Sequence, residues 1–596
     1  MSRSRESDSA AQAWLRALQY SSSVPRYPKR TLAIAVDEIA AKTPAEPAIL
    51  SDGQKLTYAQ LARRQNQYAR LALELGLEKG DVVCLLMENC PEYAALWIGM
   101  SSVGVVVALL NTRLRSQSIV HCIQAAQPKH VFVSVTLADT FLQATADAEI
   151  AARVWIIGGE HLGSCSLERQ MESLSGTSLS DEERRGTSIY ERALCIYTSG
   201  TTGLPKAANV SHARVMQWGQ WFAGMLAMEA SDRMYDCLPM YHSVGGVLAV
   251  SAVLMAGASV VVREKFSAEE FWEDIHRWGC TIFQYVGELC RYLLLATSPE
   301  QAEGHPLRVA CGNGMSKAVW TEFVERFRIP RVLEFYASTE GGVSLFNVEG
   351  KPGAIGRVPP YLVHRYSPLI IRLNMETGEP LRDATGRCME CGVNEAGEAL
   401  GRVESGPFSI GARYEGYTDA EASEKKVLRD VLSPGDAWVR TGDLLRRDEK
   451  GFYYFLDRIG DTFRWKGENI STQEVAEVMA KFPGIKHVNV YGVTVPGAEG
   501  RAGMASIVAD GPVDLPRLKS YLQLHLPSYA QPVFVRFCKE MEVTATHKYA
   551  KAVLGREGYD PDATCDPIYY HDSMSGTYAR LDRSLYKLIQ SGGVRL

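Results

Sequence analysis

Residues 195–212, CIYTSGTTGLPKAANVSH, set the hydroxyls of Tyr197, Thr198, Ser199, Thr201 and Thr202 around Gly200 and Gly203, with Lys206 close behind. Glycines let a loop approach a ligand closely and adopt positive φ, and unpaired backbone N–H groups in such a loop bind anions. The hydroxyls add donors and a hard oxygen for a cation, and the lysine adds positive charge. The chemistry on offer is that of a phosphate cradle. The spacing is G-x-x-G-x-x-K with Pro205 before the lysine, so the stretch is not an ordinary G-x-x-x-x-G-K-[ST] nucleotide loop. A solvated Ser/Thr/Gly loop has the same composition, and the stretch by itself leaves both readings open.

A cradle needs rigid elements on either side. ALCIY (193–197) reads as a strand and SHARVMQWGQWFAGML (211–226) as a helix capped by Ser211, which puts the segment in a strand-to-helix loop. From about Thr31 helices and strands alternate: Thr57 caps a helix that Gly76 ends, and DVVCLLM (81–87), VVVALL (105–110) and HVFVS (130–134) read as buried strands between helices. Nearly continuous apolar strands separated by helices predict a parallel sheet covered on both faces. The rhythm resumes over 193–345, residues 353–457 are richer in extended segments, and STQEVAEVMAKFPG, VNVYGVTV and LPRLKSYLQLHLP belong to a smaller α+β unit. The predicted class is α/β, with layered parallel sheets and a β-rich subdomain in a large N-terminal domain (31–457), and a small mobile α+β domain (458–596). Residues 1–30 are expected to be a disordered, loosely held segment, since they are polar and terminal.

Composition narrows the function. A chain of 596 residues exceeds one core, and a net charge of −5 leaves no basic excess for a general nucleic-acid binder. Thirteen scattered cysteines and an N-terminus without an apolar signal core point to a reducing, cytoplasmic setting. Cys388 and Cys391 form a lone CxxC, read as ordinary thiols because the neighbourhood lacks zinc partners. Residues 237–262 carry no Asp, Glu, Lys or Arg, but Pro239, His242, Gly245, Gly246 and Gly257 interrupt them, so a loop, a buried helix and a strand are expected rather than a membrane span.

YTSGTTGLPKAA (197–208) resembles the signature of the adenylate-forming superfamily of acyl-CoA synthetases, peptide-synthetase adenylation domains and luciferases. The resemblance implies that Thr198, Ser199, Gly200, Thr201, Thr202, Gly203 and Lys206 hold the β- and γ-phosphates of ATP, Thr201 acting in catalysis. EFYASTEGG (334–342) is similar to a second signature, by which Glu340 takes Mg2+, Thr339 meets the α-phosphate and Tyr336 stacks on adenine; the Thr198 hydroxyl is a second metal contact. RTGDLLRRDEKGFYYFLDRIGD (440–461) resembles two more, with Asp443 accepting the ribose hydroxyls and Arg458 reaching ribose or phosphates. LPMYHSVGG (238–246) matches the border of the substrate channel, where His242 is either beside the reacting carboxylate or a structural histidine. ACGNGMS (310–316), with Gly312, matches the loop lining the adenine and acyl sites. In EVTATHKYAK (542–551) Lys548 aligns with the lysine of the first half-reaction, and Lys551 is its rival because His547 stands where many relatives have glycine.

LLNTRLR (109–115), DRIGDTFRWKGENIST (457–472) and the tail from Gly558 to Gly592 resemble the fatty acid transport protein and very-long-chain acyl-CoA synthetase family, a likeness running from about Thr31 to the end. It implies a long-chain fatty acid as substrate, ATP and Mg2+ for acyl-adenylate formation with pyrophosphate release, and CoA as acceptor. Alternatives are a ligase for another lipophilic carboxylate, bile-acid-like or aryl, and a fatty-acid uptake protein at the membrane. A luciferase-type ligase shares the ATP motifs, whereas a carrier-linked adenylation domain would be followed by an LGGxS-like site that the chain lacks. Peripheral contact with the inner face of a membrane suits a substrate that partitions into bilayers. Two positions depart from the pattern. Gly460 stands where many relatives carry the hinge Asp, and Gly246 where some carry a gating Trp, leaving Trp218, Trp221 or Trp465 for that role. Leu248, Val250, Val253 and Met255 are tunnel lining or core.

Overall fold

The computed structural model describes residues 9–114, 117–159, 167–198, 205–374, 377–403, 413–465, 468–496, 500–541, 551–572 and 575–594. They belong to two compact units. Met1–Ser367, Gly401–Leu428 and Ala437–Val439 make up the first; Pro368–Leu400, Arg429–Asp436 and Arg440–Leu596 make up the second.

The apolar runs of the first unit become two sheets, as the unbroken hydrophobicity of a doubly covered strand requires. One has six strands in the order Arg153–Ile157, His130–Ser134, Val82–Leu86, Val106–Leu109, Arg192–Thr198, Lys206–Ser211, and only the last is antiparallel to its neighbour. The other has eight, with Val332–Ala337, Val309–Asn313, Ile282–Val286, Arg233–Asp236, Ser259–Val262 and Pro47–Leu50 parallel in that order and an antiparallel strand at each edge. Thr57 caps helix Tyr58–Glu74 as expected, and the structure adds a capping box with Gln60. The flanks of the hydroxyl-rich segment differ from expectation. The residues before it form strand Arg192–Thr198 and those after it pair back antiparallel as strand Lys206–Ser211 before the helix begins. Lys206–Ser211 gains a second partner through the bridge from Ala208 to Tyr417, a long-range pairing that local periodicity does not encode. The helix His212–Met225 then starts as read, with Ser211 Oγ accepting from the Arg214 N–H.

The uncharged stretch 237–262 folds as a seven-residue π-helix, Ser243–Ala249, continued by the helix Val250–Ala256 and the strand Ser259–Val262. Among the described residues no helix is long and apolar enough to cross a membrane. A Cβ on Gly246 would overlap the Met240 carbonyl, so the backbone approach itself excludes a bulky gate there. Leu248, Val250 and Val253 are buried in the core.

Over residues 9–30 the chain is ordered where a loosely held segment was expected, and residues 1–8 lie outside the described residues. Ala10–Ser21 is a helix with a Ser9/Gln12 capping box, packed on helix His212–Met225 so closely that a Cβ on Gly224 would lie 2.6 Å from Ala17 Cα. Arg16 Nε donates to the Gly224 carbonyl at 2.6 Å. Trp14 is fully buried, edge-on to Trp221, Phe346 and Tyr366 at 5.5–5.8 Å. Trp14→Ala is expected to cost about 3 kcal/mol through lost burial and cavity formation. The change at Leu15, 57% exposed on the same helix, should be near neutral. Thermal unfolding of the two variants checks this.

In the second unit, strands Leu369–Ile371, Gly397–Arg402, Ala437–Arg447 and Phe452–Arg458 lie in sequence in one sheet. A five-stranded sheet, Ile485–Thr494, Arg501–Ala509, Phe534–Phe537, Ile568–Asp572 and Thr577–Arg580, carries the helices Thr472–Met479 and Leu515–His525. Phe463, Trp465 and Met504 are in its core, so Trp465 is a packing residue. Cys388 and Cys391 are buried.

Candidate active site

Ser199, Gly200, Thr201, Thr202, Gly203 and Lys548 lie outside the described residues. Each remaining candidate has a definite place.

In the first unit, Glu340 is the centre of a network. Its Oε1 accepts from the Tyr417 hydroxyl at 2.8 Å, and its carbonyl accepts from the Glu415 N–H at 3.1 Å. Burial, then the Glu340 carboxylate, push the Tyr417 phenol well above its ordinary pKa, which keeps it a donor. Lys206 Nζ lies 5.7 Å from the Tyr417 ring centroid. Tyr417 therefore joins the strand that follows the hydroxyl-rich segment to the carboxylate of the second motif. The third association is between Thr339 and the channel motif: Ser243 Oγ and Thr339 Oγ1 are 3.1 Å apart, and Ser243 directly follows His242. His242 precedes the π-helix, its ring 4.6 Å from that of Tyr241. Tyr336 is half-buried at the end of strand Val332–Ala337, and Gly312 is buried in the neighbouring strand Val309–Asn313.

Arg214 holds this arrangement from behind. Its side chain is 3% exposed; Nη1 donates to the Thr339 carbonyl at 2.7 Å, Nη2 donates to the Arg413 carbonyl, and Nε is 3.8 Å from Glu415. Glu415 also accepts from the Ser211 N–H and hydroxyl, at 2.7 and 2.6 Å. Gly341, with φ +91°, leaves the space that the Arg214 guanidinium fills. Arg214, Glu415, Tyr417 and Ser243 were not anticipated as site residues. RYEGYTD (413–419) carries an aromatic–acid pattern but nothing in it marks its partners 77 and 204 positions away.

In the second unit, strands Ala437–Arg447 and Phe452–Arg458 pair Asp443 with Arg458 in register, Arg458 Nε 3.6 Å from Asp443 Oδ1. The turn before Asp443 is pinned by fully buried Glu398, which accepts from the Gly442 N–H at 3.1 Å and pairs with Arg440 at 2.8 Å. Thr441 Oγ1 accepts from the Asp443 N–H at 3.1 Å, which fixes the carboxylate's backbone. Lys551 Nζ donates to Thr472 Oγ1 at 2.6 Å and lies 3.2 Å from Asp461. The Thr472 N–H and hydroxyl in turn donate to Asp457 at 2.7 and 2.9 Å.

Tyr417 thus brings the Glu340 motif beside the strand that follows the hydroxyl-rich segment, two motifs that resemble signatures of the adenylate-forming class of enzymes. The chain belongs to the AMP-binding enzyme family, whose description matches residues 36–386, while residues 474–548 match the AMP-binding enzyme C-terminal domain. It is 38% identical over 582 residues to long-chain fatty acid transport protein 1 of Mus musculus, covering 95% of this chain and 88% of that one. Among solved structures it is similar to ATP-bound MatB from Rhodopseudomonas palustris, with TM-score 0.74, 23% identity and coverage of 89% and 99%. It is also similar to the Mycobacterium tuberculosis fatty acyl CoA synthetase, with TM-score 0.62, 24% identity and coverage of 88% and 98%. The family and the layered α/β fold read from the motifs are thereby established.

Proposed function

We propose that this chain is an ATP-dependent, AMP-forming fatty acid–CoA ligase acting on long-chain acids. A fatty acid carboxylate oxygen attacks the α-phosphorus of ATP and pyrophosphate leaves; the CoA sulfur then attacks the acyl carbon and AMP leaves. Both reactants of the first step are anions, so orientation and charge neutralisation carry most of the work. The observation that best supports this is the 3.1 Å contact between Ser243 and Thr339, which joins the acyl-channel motif to the nucleotide motif. In this reading Tyr336 and the loop after Gly312 take adenine, Thr339 the α-phosphate, Asp443 the ribose and Arg458 ribose or phosphate. Thr198, Thr201 and Lys206 take the β- and γ-phosphates. His242 borders the reacting carboxylate and Lys548 bridges it to the nucleotide. The donor set fits magnesium: Glu340 and the Thr198 hydroxyl are hard oxygens, and such an ion takes its remaining ligands from substrate phosphates and water. When bound it neutralises phosphate charge.

The residues after Asp457 act as the mobile domain, with Gly460 giving the pivot its freedom. The word "transport" in the mouse relative's name accords with uptake by trapping, since converting an acid to its CoA ester holds it inside a cell. Contact with a bilayer, where a long-chain acid resides, belongs to the same reading.

A panel of carboxylates of rising chain length, with bile-acid-like and aryl acids alongside, tests the assignment. Pyrophosphate release and acyl-CoA formation should rise together with chain length. Release without a CoA product would refute the ligase, and light or oxygen consumption would point to an oxidative relative.

A further inference from the structure

Below the loop that follows Gly312 is a carboxyl that none of these roles uses. Glu334, on strand Val332–Ala337, is 2% exposed and is the register partner of Gly312 on the adjacent parallel strand. Its Oε1 accepts from the Met315 N–H at 3.1 Å, and its Oε2 is hydrogen-bonded to the Tyr285 hydroxyl. The loop rests directly on this pair. A Cβ on Gly312 would overlap the Tyr285 ring, and one on Gly287 would overlap the Gly314 carbonyl. Two residues beyond Glu334 along the same strand is Tyr336.

The ionisable groups facing Glu334 are themselves weak acids: Tyr285, Cys290 on helix Gly287–Ala296, and Cys311 on strand Val309–Asn313. Asn347, its partner on the other side, spends its amide on the Lys351 and Ala354 carbonyls. Burial therefore pushes the Glu334 carboxyl up to about 8. At neutral pH it is held as an uncharged acid, Oε1 accepting from the Met315 N–H and Oε2 from the Tyr285 hydroxyl.

We propose that Glu334 is a positioning residue for the nucleotide base: with Tyr285 it fixes the loop 313–316 against the strand that carries Tyr336, and so sets the width of the slot between them. This rests on the reading of Tyr336 and that loop as the adenine site. Glutamine keeps a partner at both positions, its carbonyl accepting from Met315 and its amide donating to the Tyr285 oxygen in place of the bond that Tyr285 donates to Glu334; alanine and Tyr285→Phe do not.

The test is equilibrium binding of ATP and GTP to the full-length protein, with KM and kcat measured alongside. E334Q should bind ATP within about twofold of wild type, whereas E334A should weaken it about tenfold and narrow the ATP/GTP preference, the cost of one or two lost hydrogen bonds. Y285F should move the same way by less, and kcat at saturating ATP should change little in any of them. Raising the pH from 7 to 9 draws the proton from Glu334 and adds a negative charge beneath a polyanionic ligand, so wild type should lose ATP affinity through about pH 8. E334Q should lack that component. A folded E334A with wild-type affinity and base preference would overturn the proposal. If E334A does not fold, superimposable wild-type and E334Q pH profiles would do so. A wild-type protein that does not bind ATP refutes the site reading as well, which separates the two failures.

Discussion

Glu340→Gln is expected to lower pyrophosphate release about 10²- to 10³-fold, the scale seen when a preorganised charge-stabilising group is removed. The substitution is nearly isosteric, so Arg214 behind Thr339 and the Glu415 N–H on the Glu340 carbonyl should hold the backbone in place. What is lost is the negative charge. An amide oxygen is a poorer ligand for a hard divalent cation than a carboxylate, so the defect should shrink as Mg2+ is raised, and a magnesium titration at fixed ATP reads this directly. Tyr417→Phe makes the complementary case. It removes one donor at 2.8 Å from Glu340 while leaving the carboxylate charge, so the expected loss is about ten- to a hundredfold, in keeping with a hydrogen bond to a charged group. If E340Q kept wild-type rates across the magnesium range, Glu340 would not be the metal-binding carboxylate.

The two substitutions also show what the sequence could and could not reveal. Glu340 is flanked by a recognisable signature, and Gly341 and Gly342 behind it have positive φ, as a tight turn at that point requires. Tyr417 has no comparable flag. Its role arises because Lys206–Ser211 bonds to 415–418 from across the chain: Asn209 donates to the Gly416 carbonyl, and Thr418 donates to that of Ala207. Arg214 is similar, one more polar residue on an amphipathic helix until its burial beside Thr339 is seen. The parallel sheets were legible because buried strands carry their own hydrophobic signal. The hairpin at Lys206 was not, because its short return strand runs straight into helix His212–Met225 and part of its pairing is to residues 415–418 far along the chain. At the N-terminus the signal existed and was outweighed by composition. Ser9-x-x-Gln12 is a capping box, and Ala13, Trp14 and Ala17 fall on one helical face, but both lie within a polar terminal stretch whose usual behaviour is to fray.

Of the two lysines near the C-terminus, Lys551 lies within the described residues and Lys548 outside them. Lys551 is already engaged within its own unit, donating to Thr472 and paired with Asp461, while Thr472 is bound to buried Asp457. Its ammonium thus joins the start of helix Lys551–Glu557 to Asp461 and Thr472, and it is spoken for by protein partners. An ion pair about a quarter exposed on each side contributes on the order of 1 kcal/mol or less, so Lys551→Met should slow adenylation by about fivefold at most. Lys548→Ala should behave differently. A cation that neutralises charge developing between carboxylate and α-phosphate acts only in the first half-reaction, so adenylation should fall about 10²- to 10³-fold. Thioester formation from a preformed acyl-adenylate should stay within about threefold of wild type, because the barrier to sulfur attack contains no term from that lysine. Measuring the halves separately, by pyrophosphate release and by CoA-dependent decay of synthetic acyl-adenylate, decides the matter. Equal losses in both halves for K548A would make its role structural. A larger adenylation defect in K551M than in K548A would exchange the assignments and require Lys551 to leave Thr472 and Asp461 during the first half-reaction.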